Sequence, residues 1–530
     1  MQENGFMFDQ RTRVCEASFS VGSSIERSFN EGAPSHQNRA AMGAFALFSF
    51  IVIMTPARGL AAHQEVQTGP KDTPCPTEAV TISPGQSIQA VVNDEPIGAA
   101  ICLKSGVHRS RSIRPKHGQR FFGEPRAILN GTVIIDKFTA DGTHWTAVWP
   151  AALFRRYGKC IEDSPQCNFP EAVFIDDKPL VQALSRDAVA PGRFYIDYNT
   201  RRLFLGNDPS NHKIEVTAVD FAIKGPAKNV VIENLIVEKY ASPAQHGAIY
   251  AAYGSSGWTI RNCEVRLNSG AGIEVSGGGI VEGSSVHHNG QTGIVGTKNN
   301  IRIQGNDIWA NNIYGYDYGW EAGGIKIARS QFVTFHANHV YDNVGPGIWC
   351  DIDCRDVVYT ENSVENNHDA GIFFEISYGA TIRNNTLRRN GIGRSDWFWG
   401  ADIQIAGSED VLIENNRLTI GAGGCGIMLI DQGRQDEKGG TYKTQNVRAY
   451  RNQMTFYGPP CAGGVTDANP GDSNYRIISS GGNEFDNNVY YVPLNSGPSR
   501  FIWGHRTKSW AAFQGAGQER TGRLSTLRNP

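Results

Sequence analysis

The sequence has no surplus of charge: 50 Lys and Arg stand against 52 Asp and Glu over 530 residues. A nucleic-acid surface needs a basic excess on one face, so the balance speaks against that class. Methionine is scarce, at 6, and long Leu/Ala/Glu/Lys runs are absent, which argues against a helical bundle. No apolar run reaches the about 20 residues that a membrane span takes. Glycine numbers 60 but shows no Gly-X-Y period, which excludes collagen. Matched CxxC pairs of the zinc-site kind are missing too. What remains is 40% hydrophobic and 19% charged, neither disordered nor membranous. At about 100–200 residues per domain, the length allows two to four folding units or one long repeat array.

The strongest apolar stretch, Gly43–Met54 (GAFALFSFIVIM), follows Arg39 and precedes the small residues GLAA at 59–62. That is the layout of a secretory signal. It predicts a leader over 1–62, with Met42 as a candidate start, and a secreted or periplasmic protein. An oxidising compartment permits disulfides. Cys75–Cys102 and Cys160–Cys167 have loop-like flanks that suit pairing, although spacing alone does not fix connectivity.

From about residue 229 the chain repeats itself. A short β-segment ends in Asn, a turn follows, and a second β-segment starts Gly-Ile. VTFHANHV (333–340), VVYTENSV (357–364) and ATIRNNTL (380–387) represent the first kind; PGIWCDID (346–353), AGIFFEIS (370–377) and ADIQIAG (401–407) the second. Asn306, Asn338, Asn362, Asn385, Asn416 and Asn452 fall at one position of the unit. A basic step of about 21–24 residues means stacked supersecondary units. Alternating β-residues with Gly/Asn turns predict an all-β fold, a right-handed parallel β-helix whose rungs pair along the coil. Stacked asparagines can form an amide ladder. SIQAVV (87–92) suits a cap over the open coil end. Residues 145–226 break the period and read as hairpin strands. The expected organisation is a cap and first rungs over 75–144, an inserted small β-subdomain over 145–226, coil over 227–505, and a polar tail over 506–530.

Strand residues alternate inward and outward. In the second strands Ile325, Ile348, Ile372, Ile403 and Ile427 point inward. Lys326, Trp349, Phe373, Gln404 and Met428 then point out, as do Ala328, Asp351, Glu375, Ala406 and Ile430. Asp351 and Glu375 thus stack on adjacent rungs, about 4.8 Å apart along the coil. Retaining glycosidases hold their two carboxyl groups about 5–5.5 Å apart. Like charges so close push one pKa up and leave a proton donor beside an ionised nucleophile. The competing readings are a solvated carboxylate column and a calcium site that includes Asp353.

The rungs on either side are long, and both extra stretches fall just before the Gly-Ile strand. One, IYGYDYGWEAG (313–323), carries Tyr314, Tyr316, Tyr318, Trp320 and Glu321. The other, GIGRSDWFWG (391–400), carries Asp396, Trp397, Phe398 and Trp399. Aromatic rings cover the apolar faces of sugars, so two such walls beside an acid pair point to a carbohydrate cleft. Lys326 is placed to bind a hydroxyl or carboxylate, or to act as base in a lyase.

GIWCDID (347–353) followed by GIFFEISYGA (371–380) resembles the catalytic strands of β-helix glycoside hydrolases of the family 120 β-xylosidase type. RSIRPKHGQRFFGEPRAILNG (111–131) is similar to the broader group of right-handed β-helix repeat proteins, within the pectin-lyase-like superfamily. The resemblance implies Asp351 as nucleophile and Glu375 as acid/base, with no cofactor. Ile352 and the extra acid Asp353 depart from the motif. Polygalacturonase-type motifs are absent apart from an echo in Asp351-Ile352-Asp353. The expectation is a secreted retaining glycosidase on a plant or bacterial polysaccharide or oligosaccharide. A uronate lyase or epimerase, with calcium, is the alternative, and a non-catalytic carbohydrate-binding coil a second one.

Overall fold

The computed structural model describes residues 67–109, 111–251, 253–394 and 397–527. The leader expected over 1–62, with Met42, lies outside the described residues, as does Asp396.

Strands recur in threes and build three long sheets of 13, 12 and 13 strands. Apart from the terminal Arg506–Lys508, which runs antiparallel to Arg500–Gly504, each strand pairs in parallel with its counterpart one rung on, as Thr334–His336 does with the strand Arg355–Thr360. The fold is a right-handed parallel β-helix, the hand that parallel crossovers take. Many strands are only three residues long with the middle one buried, such as Thr334–His336, His339–Tyr341 and Ser363–Glu365. Pleating turns that central residue into the coil. Ile303, Phe335, Tyr359, Ile382 and Ile413 thereby form one core column, and Ile308, Val340, Val364 and Leu387 another.

The corners explain the asparagines. Ala337, Glu361, Asn384, Asn415 and Arg451 adopt φ between 51° and 59°, each directly before a ladder asparagine. A left-handed residue costs about 1–2 kcal/mol. The next Asn offsets this with two bonds, since its Oδ1 accepts both the backbone N–H and the Nδ2 of the Asn one rung back. The Nδ2–Oδ1 chain runs from Asn306 through Asn338, Asn362, Asn385, Asn416 and Asn452 to Asn488 at 2.9–3.0 Å. It ends on buried Glu519 (2.7 Å). A second ladder occupies the next corner: Asn268, Asn289, Asn311, Asn343, Asn367 and Asn390. This one stops in mid-coil at Asp402, whose Oδ1 accepts from Asn390 N (3.0 Å) and Nδ2 (2.7 Å). Just beyond it, Cys425–Cys461 joins the following two rungs near that corner.

The mainly antiparallel insertion begins at Thr132 and closes at Thr217, in a four-stranded and a five-stranded sheet. It therefore opens earlier than the stretch 145–226, because Thr132–Ile135 reads like one more coil strand. Ile223–Gly225 already pairs with Gly247–Ala251 of the coil. Trp149, Phe194, Ile196, Leu203, Leu205 and Val216 give the insertion its own core. At the N-terminal end, the helix Ile88–Asp94 is capped by Ser87 and buries Ile88 and Val92. At the other end the segment after 506 is not a loose tail. The helix Trp510–Gly515 drives Phe513 onto Phe501 (5.2 Å, stacked), and Arg523–Leu527 pairs with Val489–Pro493. Its polar residues hid Trp510 and Phe513, the two aromatics that close the coil on Phe501.

The disulfides Cys75–Cys102 and Cys160–Cys167 are present, together with Cys350–Cys354 and Cys425–Cys461; Cys263 is buried and free. Among the described residues no helix is long and apolar enough to cross a membrane.

Candidate active site

Register brings the outward residues of the third face into rows. Lys326, Trp349, Phe373, Gln404 and Met428 are cross-strand neighbours in sequence, and Ala328 neighbours Asp351 as Glu375 neighbours Ala406. Trp349 and Phe373 pair one position before Cys350 and Phe374, so Asp351 and Glu375 follow in step on adjacent rungs. Cys350 and Phe374 belong to the coil core; the acids therefore point out of the coil.

They do not meet open solvent, however. Asp351 is 5% and Glu375 8% exposed. Trp349, Phe373, Ala406, Met428 and Ile430 form a second apolar cluster outside the coil, with Phe398 and Trp399 folded over it. Trp349 stacks on Phe373 (5.3 Å), and Trp399 meets Phe373 edge-on (6.3 Å). Gln404 is buried and its Oε1 accepts the Gly400 N–H (2.9 Å), which holds the 391–400 loop down.

The two acids have opposite surroundings. Asp351 Oδ2 lies 3.0 Å from Lys326 Nζ. That ammonium also reaches Glu321 Oε2 (3.2 Å) and the Trp320 carbonyl (3.1 Å), and sits 3.5 Å above the Trp349 ring. Burial pushes the Lys326 pKa down, but Glu321 and Asp351 outweigh it and hold the amine above its usual range. For Glu375, burial and then the Asp351 charge push the carboxyl up to about 7, against the opposing pull of Arg434 and Lys326. Arg434 forms an ion pair with Glu375 Oε1. Among the described residues, Asp351 Oδ1 and Trp349 Nε1 are buried with no hydrogen-bond partner. An unused acceptor and an unused donor leave bonding capacity on this face.

The corner that follows each acid is strained. Ala328, Asp351, Glu375 and Ala406 are each followed by a residue of positive φ: Arg329 (51°), Ile352 (52°), Ile376 (40°) and Gly407 (55°). Glycine meets this at no steric cost, whereas a β-branched residue there is an outlier. Isoleucine stands in that place on the two acid-bearing rungs. Asp353 (φ 58°) leaves the strand at once, so alternation does not carry it onto the acid row. Its Oδ1 accepts from the Tyr442 hydroxyl (3.2 Å). The Cys350–Cys354 disulfide spans this turn.

The remaining aromatic candidates divide. Tyr316 is buried with Cys167, Ala244 and Ala322 and packs its loop against the insertion rather than lining open surface. Trp320 lies between Tyr316 (6.4 Å) and Tyr157 (5.5 Å). Tyr318 faces His368 (4.7 Å), with the Arg394 guanidinium 5.5 Å from its ring. Trp397 is exposed and stands 6.3 Å from Trp399. A cavity of about 530 Å³ lies between these loops and the insertion, lined by Glu162, Asp317, Tyr318 and Arg394 among others. Sequence reasoning missed Arg434 and Tyr442. They come from the segment 432–445, a third insertion at the far end of the same strands; the long step from Asn416 to Asn452 was its signal. Among the described residues, no group of three or more metal-ligating side chains gathers.

The description "Right handed beta helix region" fits residues 247–418. No curated protein sequence is significantly similar to this chain. Among solved structures, XylC in complex with xylose superposes with a TM-score of 0.58 at 13% identity, over 84% of this chain and 83% of that one. A mannuronan C-5 epimerase AlgE6 A-module from Azotobacter vinelandii gives a TM-score of 0.45 at 14% identity, over 84% and 95%. A further structure, described as a glycoside hydrolase, gives 0.39 at 9% identity, over 69% and 88%. At these identities the likeness is one of fold.

Proposed function

We propose that the protein is a carbohydrate-active enzyme, a retaining glycoside hydrolase acting on a plant or bacterial polysaccharide or oligosaccharide. The observation that carries this reading is the acid pair itself: adjacent rungs, one carboxylate clamped by an ammonium, the other carboxyl pushed up to about 7. Asp351 attacks the anomeric carbon while Glu375 gives its proton to the departing glycosidic oxygen. The C–O bond breaks and a glycosyl ester forms on Asp351. Glu375 then takes a proton from water, whose oxygen attacks the same carbon and releases Asp351. Lys326 fixes the nucleophile through its ion pair. Trp349 and Phe373 floor the site, and Tyr318, Trp320, Trp397 and Trp399 shape its approaches. Supporting the choice over a lyase, Lys326 lies between two carboxylates that keep it protonated, the wrong state for a general base. The disulfides suit an oxidising compartment and support a secreted or periplasmic enzyme.

The test is product analysis on a panel of glycans and aryl glycosides. Release of a sugar with retained anomeric configuration, abolished by Asp351→Ala and by Glu375→Ala in folded protein, is the expected result. An inverted product, or an unsaturated uronate absorbing in the ultraviolet, overturns the assignment.

A further inference from the structure

The outward row that carries Lys326 continues toward the N-terminal end. Register places Val295, Glu274, Tyr250 and Lys224 in line with it on successive rungs. At about 4.8 Å per rung, Glu274 lies about 10 Å and Tyr250 about 14 Å from Lys326. A distinct set of side chains gathers there. His246 Nδ1 is 2.9 Å from Glu274 Oε2, with the histidine side chain 41% exposed and the glutamate 19%. The Gly247 N–H donates to the same oxygen at 3.4 Å. Tyr250 stacks on Phe221 (5.0 Å, 27°) and lies 4.9 Å from the imidazole.

This set is wired to the acids. Gln245 Nε2 donates to Glu321 Oε2 (3.1 Å), the oxygen that also meets Lys326 Nζ. Lys326 in turn holds Asp351. From Gln245 to Asp351 the face is therefore one run of polar contacts, and His246 follows Gln245 directly in the chain.

The chemistry there suits a sugar ring. A carboxylate accepts from one hydroxyl while the remaining imidazole N–H donates to its neighbour, and an aromatic face covers the ring's C–H surface. The charges are largely paired, His246 with Glu274 and Lys224 with Asp220 at 2.9 Å, with Arg155 an additional cation acting on His246. That balance favours a neutral ring over a carboxylated one. We propose that His246, Glu274 and Tyr250 form a distal subsite for a neutral pyranose unit. The substrate is then an extended chain lying along the coil axis over several rungs, not a short terminal fragment. The proposal rests on the glycosidase reading and deepens it by naming the substrate class.

Two measurements separate the proposal from the reading beneath it. The first compares kcat/KM on linear xylo- and gluco-oligosaccharides of two and six units. The wild type should prefer the hexasaccharide by about tenfold or more, and His246→Ala and Tyr250→Ala should each collapse that ratio toward one; the same ratio in all three proteins overturns the subsite. The second titrates the same hexasaccharides, and oligogalacturonates, into Glu375→Gln by calorimetry. There the additional His246→Ala or Tyr250→Ala change should weaken hexasaccharide binding about tenfold, with the thermal midpoint recorded to exclude misfolding. Such a loss sustains the subsite even if no hydrolysis is seen, in which case the glycosidase reading alone fails. No hexasaccharide binding, equal binding in the variants, or binding of oligogalacturonates alone overturns it.

Discussion

Asp351 and Glu375 stand one rung apart, yet a lysine at 3.0 Å neutralises the first while the second is pushed up to about 7. The asymmetry arises because Lys326 and Arg434 approach from different segments and only burial and Asp351 dominate at Glu375.

Glu375 can donate only while protonated, so kcat/KM should fall as pH rises through about 7. Glu375→Gln should lose about 10²–10⁴-fold on substrates whose leaving group needs the proton, and much less on a nitrophenyl glycoside. A pH–rate profile on both substrate types checks this. An alkaline limb that survives in the variant would assign it to another group.

Arg434 pulls the Glu375 carboxyl down. Arg434→Gln should therefore move the alkaline limb to higher pH while leaving its shape intact. A limb that stays in place would show that Arg434 does not sense the titration.

Lys326→Met leaves Asp351 and Glu321 facing each other without the cation between them. Breaking a buried pair by removing one partner costs about 3–5 kcal/mol. Equilibrium denaturation at pH 7 should show a loss of that order. Replacing Glu321 by Gln in the same protein should restore part of it.

Burial raises the Asp402 carboxyl to about 7, far above the about 3.9 of an unfolded aspartate. The folded state thus binds the extra proton between those values. Its contribution is fully present below about pH 4 and is lost as pH rises through about 7. Asp402→Asn keeps the acceptor for Asn390 and removes the charge, so it should be the more stable protein at pH 8 and show a shallower decline between pH 5 and pH 8. Thermal midpoints across that range decide it.

Ile352 holds a left-handed conformation (φ 52°) that a β-branched residue resists. Ile352→Asn should raise the thermal midpoint, because asparagine tolerates this region. It should also lower kcat if the stiff corner is what aims Asp351. A variant both more stable and fully active would mean that the strain has no part in catalysis.

The coil was legible because its signal is one-dimensional. The pattern of inward isoleucines (Ile325, Ile348, Ile372, Ile403, Ile427) and the first asparagine column both depend on local alternation and a fixed step, which neighbouring residues encode. The second ladder was equally regular, since Asn311, Asn343, Asn367 and Asn390 each follow the first-column residue by five positions. The acid row was legible for the same reason.

What lay beyond reach were contacts set by loop trajectories. Nothing local says that Arg434 folds back to Glu375, that Tyr442 holds Asp353, or that Trp399 and Phe398 cover the face and bury the acids. Tyr316 looked like a binding aromatic because its loop is rich in them; its neighbours from the insertion, Cys160 and Cys167, come from far away in sequence. Polar tail residues likewise masked Phe513 as the plug of the coil.

The handover at Asp402 has a mechanical consequence. Up to that point two columns of amides zip the turns together; past it, one column and the Cys425–Cys461 cross-brace share the load. A reductant that reaches this brace should let the last few turns peel away as a block, while the part that carries Asp351 and Glu375 stays wound.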